Sequence, residues 1–237
     1  MRLSAPVYQL KRRAKLLVRD EKISLHAALD RIASQEGFAG WSLLAAQIAD
    51  SSGETNILSR LCDGDIVLLG ARPGHGKTLL GLKLLLDAVG DGRKGIFFTL
   101  EYTEHETRQR LQSLQGETPG LGDLVEIVTD DDICADYMIR HLADASRGTV
   151  AVIDYLQILD QRRTKPGLSQ QLAALQAFAE KAGIILAFIS QIDRAYRPDE
   201  KPVPDMQDIR LPNRFDTGIF SKVCFLHEGK LQFQAIA

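Results

Sequence analysis

Two hydrophobic periods share this chain. Over residues 1–50 apolar positions recur every three or four residues: Val7, Leu10, Ala14, Leu17 and Val18 form one stripe, with Lys11, Arg12, Arg13, Lys15 and Arg19 on the other faces. Ser24 stands where a second helix needs its cap; that helix carries Leu25, Ala28, Leu29, Ile32 and Ala33 and is closed by Gly37. Phe38 and Trp41 add aromatic bulk, and a third short helix is predicted over Ser42–Ala49, with Leu44, Ala45 and Ile48 inward. So short a segment does not easily sustain its own core, and this basic helical unit is expected to dock on the larger domain beyond a linker at residues 51–56.

From Ile57 onward the pattern changes to short apolar runs separated by helical stretches. Strands are predicted at Ile66–Leu69, Ile96–Leu100, Leu124–Thr129, Val150–Asp154, Ile184–Ser190 and Val223–Leu226. Helices are predicted near Lys77–Val89, Thr103–Leu114, Ile133–Ala145 and Leu168–Ala182. Continuously apolar strands alternating with helices predict an α/β domain over residues 57–237, with a mainly parallel sheet covered on both faces. The helix Lys77–Val89 is apolar nearly all round, which predicts burial by the sheet and its neighbours. The stretch Asp193–Asp216 has neither period and holds several prolines, as a functional or disordered loop does.

Candidate chemistry begins where the strand Ile66–Leu69 runs into Gly70 and then Ala71-Arg72-Pro73-Gly74-His75-Gly76-Lys77-Thr78, followed by the apolar helix. This is the P-loop pattern with Ala71 in place of the first glycine, in the strand–loop–helix setting the motif requires. Gly74 and Gly76 let backbone N–H groups turn toward phosphate oxygens, and the helix N-terminus adds partial positive charge. Lys77 then serves the β- and γ-phosphates of ATP, and Thr78 offers its hydroxyl to Mg²⁺. The alternative is a plain glycine turn, against which the full setting argues. His75 occupies a variable position and reads as loop filler.

The run Val150–Asp154 delivers a carboxylate at the edge where the sheet opens, suited to Mg²⁺ directly or through water. Alone it would equally be a turn signal. Glu101 ends the strand Ile96–Leu100 on the same kind of edge; it reads as a base or as an acid complementing the following helix. Gln191, by itself, reads as a strand-end amide capping the loop.

In order along the chain, ARPGHGKT, FFTLEYT, VIDYLQIL and ISQIDR resemble the successive motifs of the RecA-like motor domain of DnaB-type replicative DNA helicases, over about Leu58–Arg210. The resemblance implies a RecA-like P-loop NTPase fold with ATP and Mg²⁺ as cofactors. It makes Lys77 and Thr78 the nucleotide and metal residues, Asp154 the metal-side carboxylate, Glu101 the base acting on the attacking water and Gln191 the γ-phosphate sensor. Two departures stand out. The short basic helical unit occupies the place of the family's primase-interaction domain. The family's Lys-x-Arg pair, which acts on a neighbouring subunit's nucleotide, corresponds here to the stretch from Phe225 to Phe233, with Lys230 but no arginine. Lys230, or else Arg210 on the long loop, is left as the trans-acting cation, and slow hydrolysis is expected.

Composition narrows the partners. Lys and Arg number 29 against 31 Asp and Glu, a net charge of −2, so any attraction for nucleic acid is local. The loop Gln161–Gly167 offers Arg162, Arg163 and Lys165 without an acid, fit for phosphates or for solvent; Arg12 and Arg13 fit DNA or the exposed face of a partner-bound helix. Three scattered cysteines form no disulfide framework, the N-terminus lacks a secretory apolar segment, and no apolar run approaches the ~20 residues of a membrane span; a cytoplasmic protein is expected. Three functions compete. The first is a DnaB-like helicase or translocase ATPase acting on single-stranded DNA, with a replication or other protein partner at its N-terminal helices and the option of a homo-oligomer. The second is a nucleotide-switched protein-interaction module without helicase activity. The third, a small-molecule P-loop kinase, is disfavoured because Glu101 and Gln191 suit attack by water.

Overall fold

The structure is a computed structural model, and it describes residues 7–38, 40, 41, 44, 57–72, 76–115, 119–160, 165–193, 195–197, 204–210, 216–227 and 230–235. The chain divides into two units, Met1–Thr55 and Asn56–Ala237.

In the first unit, α1 (Val7–Glu21) and α2 (Leu25–Gln35) pack Leu10 and Ala14 against Ala28 and Ile32, with Leu17, Val18, Leu29 and Trp41 around them. The Ser24 hydroxyl accepts the Ala27 N–H at 3.1 Å, and so caps α2. Its other end closes in a Schellman arrangement: Gly37 takes φ +86°, and the N–H of Phe38 reaches the Ala33 carbonyl at 2.9 Å. The helix expected over Ser42–Ala49 falls mostly outside the described residues.

The second unit is built on a seven-stranded sheet. Its strands are β1 (Ile66–Ala71), β2 (Gly95–Thr99), β3 (Val125–Val128), β4 (Val150–Asp154), β5 (Ile185–Gln191), β6 (Lys222–His227) and β7 (Lys230–Ala235). They lie in the order β3-β2-β4-β5-β1-β6-β7, and every neighbouring pair is parallel except β6 with β7. Strand alternation deals the apolar residues to two faces. Val67, Leu69, Phe97, Val152, Ala187 and Ile189 meet α3 (Lys77–Gly90) and α4 (Glu104–Leu114). Leu68, Phe98, Ile153, Leu186 and Phe188 meet α5 (Ala135–His141) and α6 (Leu168–Ala182). Both faces being buried is why these strands read as unbroken apolar runs. Gly81 allows α3 to lie close on the sheet, since a Cβ there would sit 2.7 Å from Ile189 and 2.8 Å from Val152.

Four expectations need correction. The strand expected to reach Leu100 stops at Thr99, leaving Glu101 two residues beyond it. The helix expected over Ile133–Ala145 is only Ala135–His141, because an Asx turn, in which Asp130 accepts the Asp132 N–H at 2.7 Å, occupies its approach. Leu79 is exposed, so α3 is not buried all round. The strand β7 was not foreseen, although Leu231 and Phe233 alternate with Gln232 and Gln234 as an edge strand's residues do. Described residues beyond β5 also carry structure that the sequence pattern did not predict. Ile192 and Ile209 form an antiparallel bridge, and Met206–Asp208 make a 3₁₀ turn.

Candidate active site

The parallel register brings four strand ends to one edge. Ala71 pairs with Gln191, Asp154 with Ile189, and Thr99 with Asp154. Open α/β sheets bind ligands at such a carboxyl edge, where the strand order reverses. Of the loop between β1 and α3, Ala71 is buried and Arg72 half-buried, while Pro73, Gly74 and His75 lie outside the described residues. Gly76 adopts φ +84°, a left-handed conformation, and no side chain caps α3. The first N–H groups of α3 are therefore left without a capping side chain.

Lys77, the first residue of α3, points between two carboxylates. Its Nζ lies 3.3 Å from Glu101 Oε2 and 3.5 Å from Asp154 Oδ1, and 5.5 Å from the centre of the Tyr155 ring. Thr78 Oγ1 donates to Asp154 Oδ2 at 2.8 Å. The Glu101 N–H donates to Thr99 Oγ1 at 3.1 Å, and a capping box between Thr103 and Glu106 starts α4 immediately afterwards. Backbone contacts thus hold Glu101 on both sides while its carboxylate stays about one-third exposed.

Burial and charge pull against each other here. Desolvation lowers the Lys77 pKa, but the adjacent Asp154 and Glu101 carboxylates outweigh it and hold the ammonium above its usual range. Asp154 is fully buried; desolvation raises its pKa, and Lys77 and the Thr78 hydroxyl only partly oppose this. Its Oδ1 has no hydrogen bond among the described residues. A carboxylate oxygen so placed, next to a threonine hydroxyl, is a hard-oxygen donor set of the kind Mg²⁺ takes.

The remaining sequence candidates fall in different places. Gln191 ends β5 on the same edge, and its carbonyl accepts the Arg210 N–H at 2.8 Å. The Arg210 carbonyl accepts in turn from Gln157 Nε2 at 2.8 Å, so the backbone of Arg210 is tied to both β5 and the turn after β4, while its side chain is exposed. Lys165 is half-buried, and Arg162 and Arg163 lie outside the described residues. Lys230 opens β7 opposite His227. Arg12 and Arg13 lie on α1, in the other unit, with Arg13 exposed. Sequence reasoning passed over Tyr155 and Gln157, although both stand within VIDYLQIL, and over Tyr102 beside Glu101.

A family model for the KaiC ATPase matches residues 54–203. The chain belongs to the KaiC ATPase family. Among its relatives are the replicative DNA helicase DnaB of Mycoplasma pneumoniae, 26% identical over 71% of this chain and 43% of the relative, and DnaB of Helicobacter pylori, 26% identical over 65% and 38%. This KaiC-family chain thus spans about two-fifths of the length of these curated relatives. Its fold is RecA-like. The ATPase domain of G40P superposes with a TM-score of 0.57 at 16% identity, covering 78% of this chain and 81% of that domain. A DnaB-like replicative helicase, described with its interactions with primase, gives the same TM-score over 93% of this chain and 67% of the helicase. Among the described residues, no helix is long and apolar enough to cross a membrane.

Proposed function

We propose that this KaiC-family ATPase binds ATP with Mg²⁺ at the edge formed by β1, β4 and β5 and hydrolyses it as a DnaB-like motor acting on single-stranded DNA. The observation that carries the reading is the placement of Lys77 within 3.5 Å of both Glu101 and Asp154, beside the Thr78–Asp154 hydrogen bond. In this assignment Lys77 leaves its carboxylate partners to meet the β- and γ-phosphates, as a compact ammonium on a flexible stem can. Thr78 and Asp154 hold Mg²⁺, which when bound neutralises charge on the phosphate oxygens. Glu101 orients and deprotonates the attacking water, and its partial exposure leaves room for one. Gln191 reads the γ-phosphate from the tip of β5, and its tie to Arg210 passes that reading to the segment beyond.

Single-stranded DNA is assigned to the Gln161–Gly167 loop through Arg162, Arg163 and Lys165; Arg12 and Arg13 on α1 are separate candidates for a DNA contact. A protein partner at the N-terminal helices and assembly into a homo-oligomer belong to the same proposal, after the DnaB relatives. The test is the rate of ATP turnover with and without single-stranded DNA, alongside mass in solution. DNA-stimulated turnover supports the motor. ATP binding with turnover indifferent to DNA moves the protein to a nucleotide-switched interaction module.

A further inference from the structure

The helix that follows Glu101 buries few of its side chains. Of α4, only Thr107 and Leu111 are buried; the rest of Glu-His-Glu-Thr-Arg-Gln-Arg-Leu-Gln-Ser-Leu is polar or partly exposed. Its two arginines are employed differently. Arg108 donates to the carbonyls of Gly122 at 2.8 Å and Val125 at 2.6 Å and pairs with Glu104, which ties the helix to the approach of β3. Arg110 makes no such bond. Its guanidinium carbon lies 4.2 Å from the centre of the Tyr102 ring, and its Nε is enclosed without a hydrogen-bond partner among the described residues. Stacking and attraction to the π-system hold the guanidinium on the ring, and the Glu106 carboxylate one turn earlier attracts it as well.

Tyr102 is the neighbour of Glu101, so a hold on its ring bears on the carboxylate beside it. The short segment between β2 and α4 is pinned before Glu101 by Thr99 and after it by the Thr103–Glu106 box. Both contacts hold backbone on either side of Glu101, and neither holds the Tyr102 ring, which is one peptide away from the carboxylate-bearing residue. A ring held from α4 supplies the third point.

Resting on the assignment of Glu101 as the water-activating base, we propose that Arg110 is a positioning residue: by clamping the Tyr102 ring it holds Glu101 in the orientation that reaches Lys77 and the attacking water. The clamp needs the ring and the planar cation but not the tyrosine hydroxyl. Acting through Glu101, it should change turnover and leave ATP affinity in place.

Steady-state ATP hydrolysis by the full chain tests this, with thermal melting as a check on folding. Arg110→Ala and Tyr102→Ala should each lower kcat by about tenfold, the scale of a misplaced catalytic group, with the KM for ATP unchanged. Tyr102→Phe should retain turnover, and the double variant Arg110→Ala/Tyr102→Ala should be no slower than either single one. Arg110→Lys, which keeps the charge and lacks the planar stack, should fall between, and it replaces Arg110→Ala if that variant melts early. A wild-type kcat in Arg110→Ala beside an inactive Glu101→Gln overturns the clamp alone. So do losses that multiply in the double variant, or a rise in KM in place of a fall in kcat. Normal turnover in Glu101→Gln overturns the base assignment, and the clamp with it.

Discussion

Thr78 and Asp154, 76 residues apart in the chain, are joined by a 2.8 Å hydrogen bond that fastens the first turn of α3 to the end of β4. The hydroxyl satisfies only one oxygen of a carboxylate buried against Ile189 and Thr99 across the register, and Lys77 stands at ion-pair distance from the other. A carboxylate buried in this way is poorly solvated even beside the Lys77 ammonium, a cost of the kind active sites bear for function.

Asp154→Asn should therefore stabilise the nucleotide-free protein while abolishing Mg²⁺-dependent hydrolysis. Asp154 has its pKa raised, so the folded state holds its proton more tightly than the unfolded one, and its contribution to stability falls as pH rises from about 3.8 through the folded pKa. The neutral amide removes that penalty, on the order of 1 kcal/mol. Thermal melting at pH 7 without nucleotide checks it. A clearly lower midpoint for the variant would show that the ion pair with Lys77 outweighs desolvation.

Lys77→Ala should weaken ATP binding by about ten- to a hundredfold, the worth of one charge-assisted hydrogen bond to phosphate. Unchanged affinity in a folded variant would remove the phosphate site from this loop. Glu101→Gln, which keeps size and loses the base, should bind ATP normally and turn over about 10²–10⁴-fold more slowly. Equilibrium binding and single-turnover hydrolysis separate the two effects.

Acid stability rests on a different carboxylate. Asp65 precedes β1 and accepts from the Cys62 N–H at 2.6 Å and the Ser221 hydroxyl at 2.8 Å, and it pairs with Lys222, so it binds the start of β6 to the start of β1. Burial pushes its pKa up, but these partners outweigh it and leave the carboxyl below its ordinary 3.8. A depressed pKa contributes stability that is present above about 3.8 and lost as pH falls through the lower, folded value. Asp65→Asn should cost about 2 kcal/mol at pH 7. Its stability should also fall less steeply in that acid range than the wild type's, as denaturant midpoints across pH would show.

The strands buried on both faces were legible in sequence because tertiary burial imposes an unbroken apolar run: Val150–Asp154 coincides residue for residue with β4. At the sheet's margin the correspondence fails. β7 covers one end with Leu231 and Phe233 alternating with Lys230, Gln232 and Gln234, a pattern too polar to stand out beside the unbroken apolar runs. The candidate site was legible as motifs, since phosphate chemistry narrows the choice of Lys77, Thr78, Glu101 and Asp154. What the motifs do not carry is the long-range bonding around them. The Gln157–Arg210 tie spans 53 residues, and the Arg110–Tyr102 stack joins a helix to the loop before it. Neither has a local periodic signal, because both depend on how packed elements meet.

If the Gln161–Gly167 loop contacts single-stranded DNA, log affinity should fall with log salt by about 0.7 per phosphate neutralised. Replacing Arg162, Arg163 and Lys165 together should make that slope shallower by about 2 while leaving ATP affinity intact. Fluorescence anisotropy of a labelled oligonucleotide across a salt series measures both. A slope unchanged by the triple replacement would move the DNA contact elsewhere, with Arg12 and Arg13 the next positions to test.

In the proposed assignment, the speed of hydrolysis depends on a second cation beside the γ-phosphate. Charge spreads over the γ-phosphate oxygens in the transition state, and an arginine placed there is worth about 10³–10⁵ in rate to NTPases that use one. In that assignment Lys77 serves the phosphates within its own chain, and the stretch resembling the family's trans-acting pair has Lys230, opposite His227 in the β6–β7 register, in place of arginine. An ammonium is a point charge without the guanidinium fork, so it neutralises less of a planar, three-oxygen charge distribution. The isolated protein should accordingly bind ATP with Mg²⁺ and hydrolyse it slowly, with little unwinding of duplex DNA by itself. If Lys230 acts on a neighbouring copy, turnover per chain should rise steeply with protein concentration, and Lys230→Ala should abolish the rise without changing the low-concentration rate. If Arg210 does so instead, Arg210→Ala should remove the rise and Lys230→Ala should leave it. A rate per chain that is fast and independent of concentration in dilute monomer would mean that the transition state is stabilised within one chain, and the trans-acting cation would be discarded.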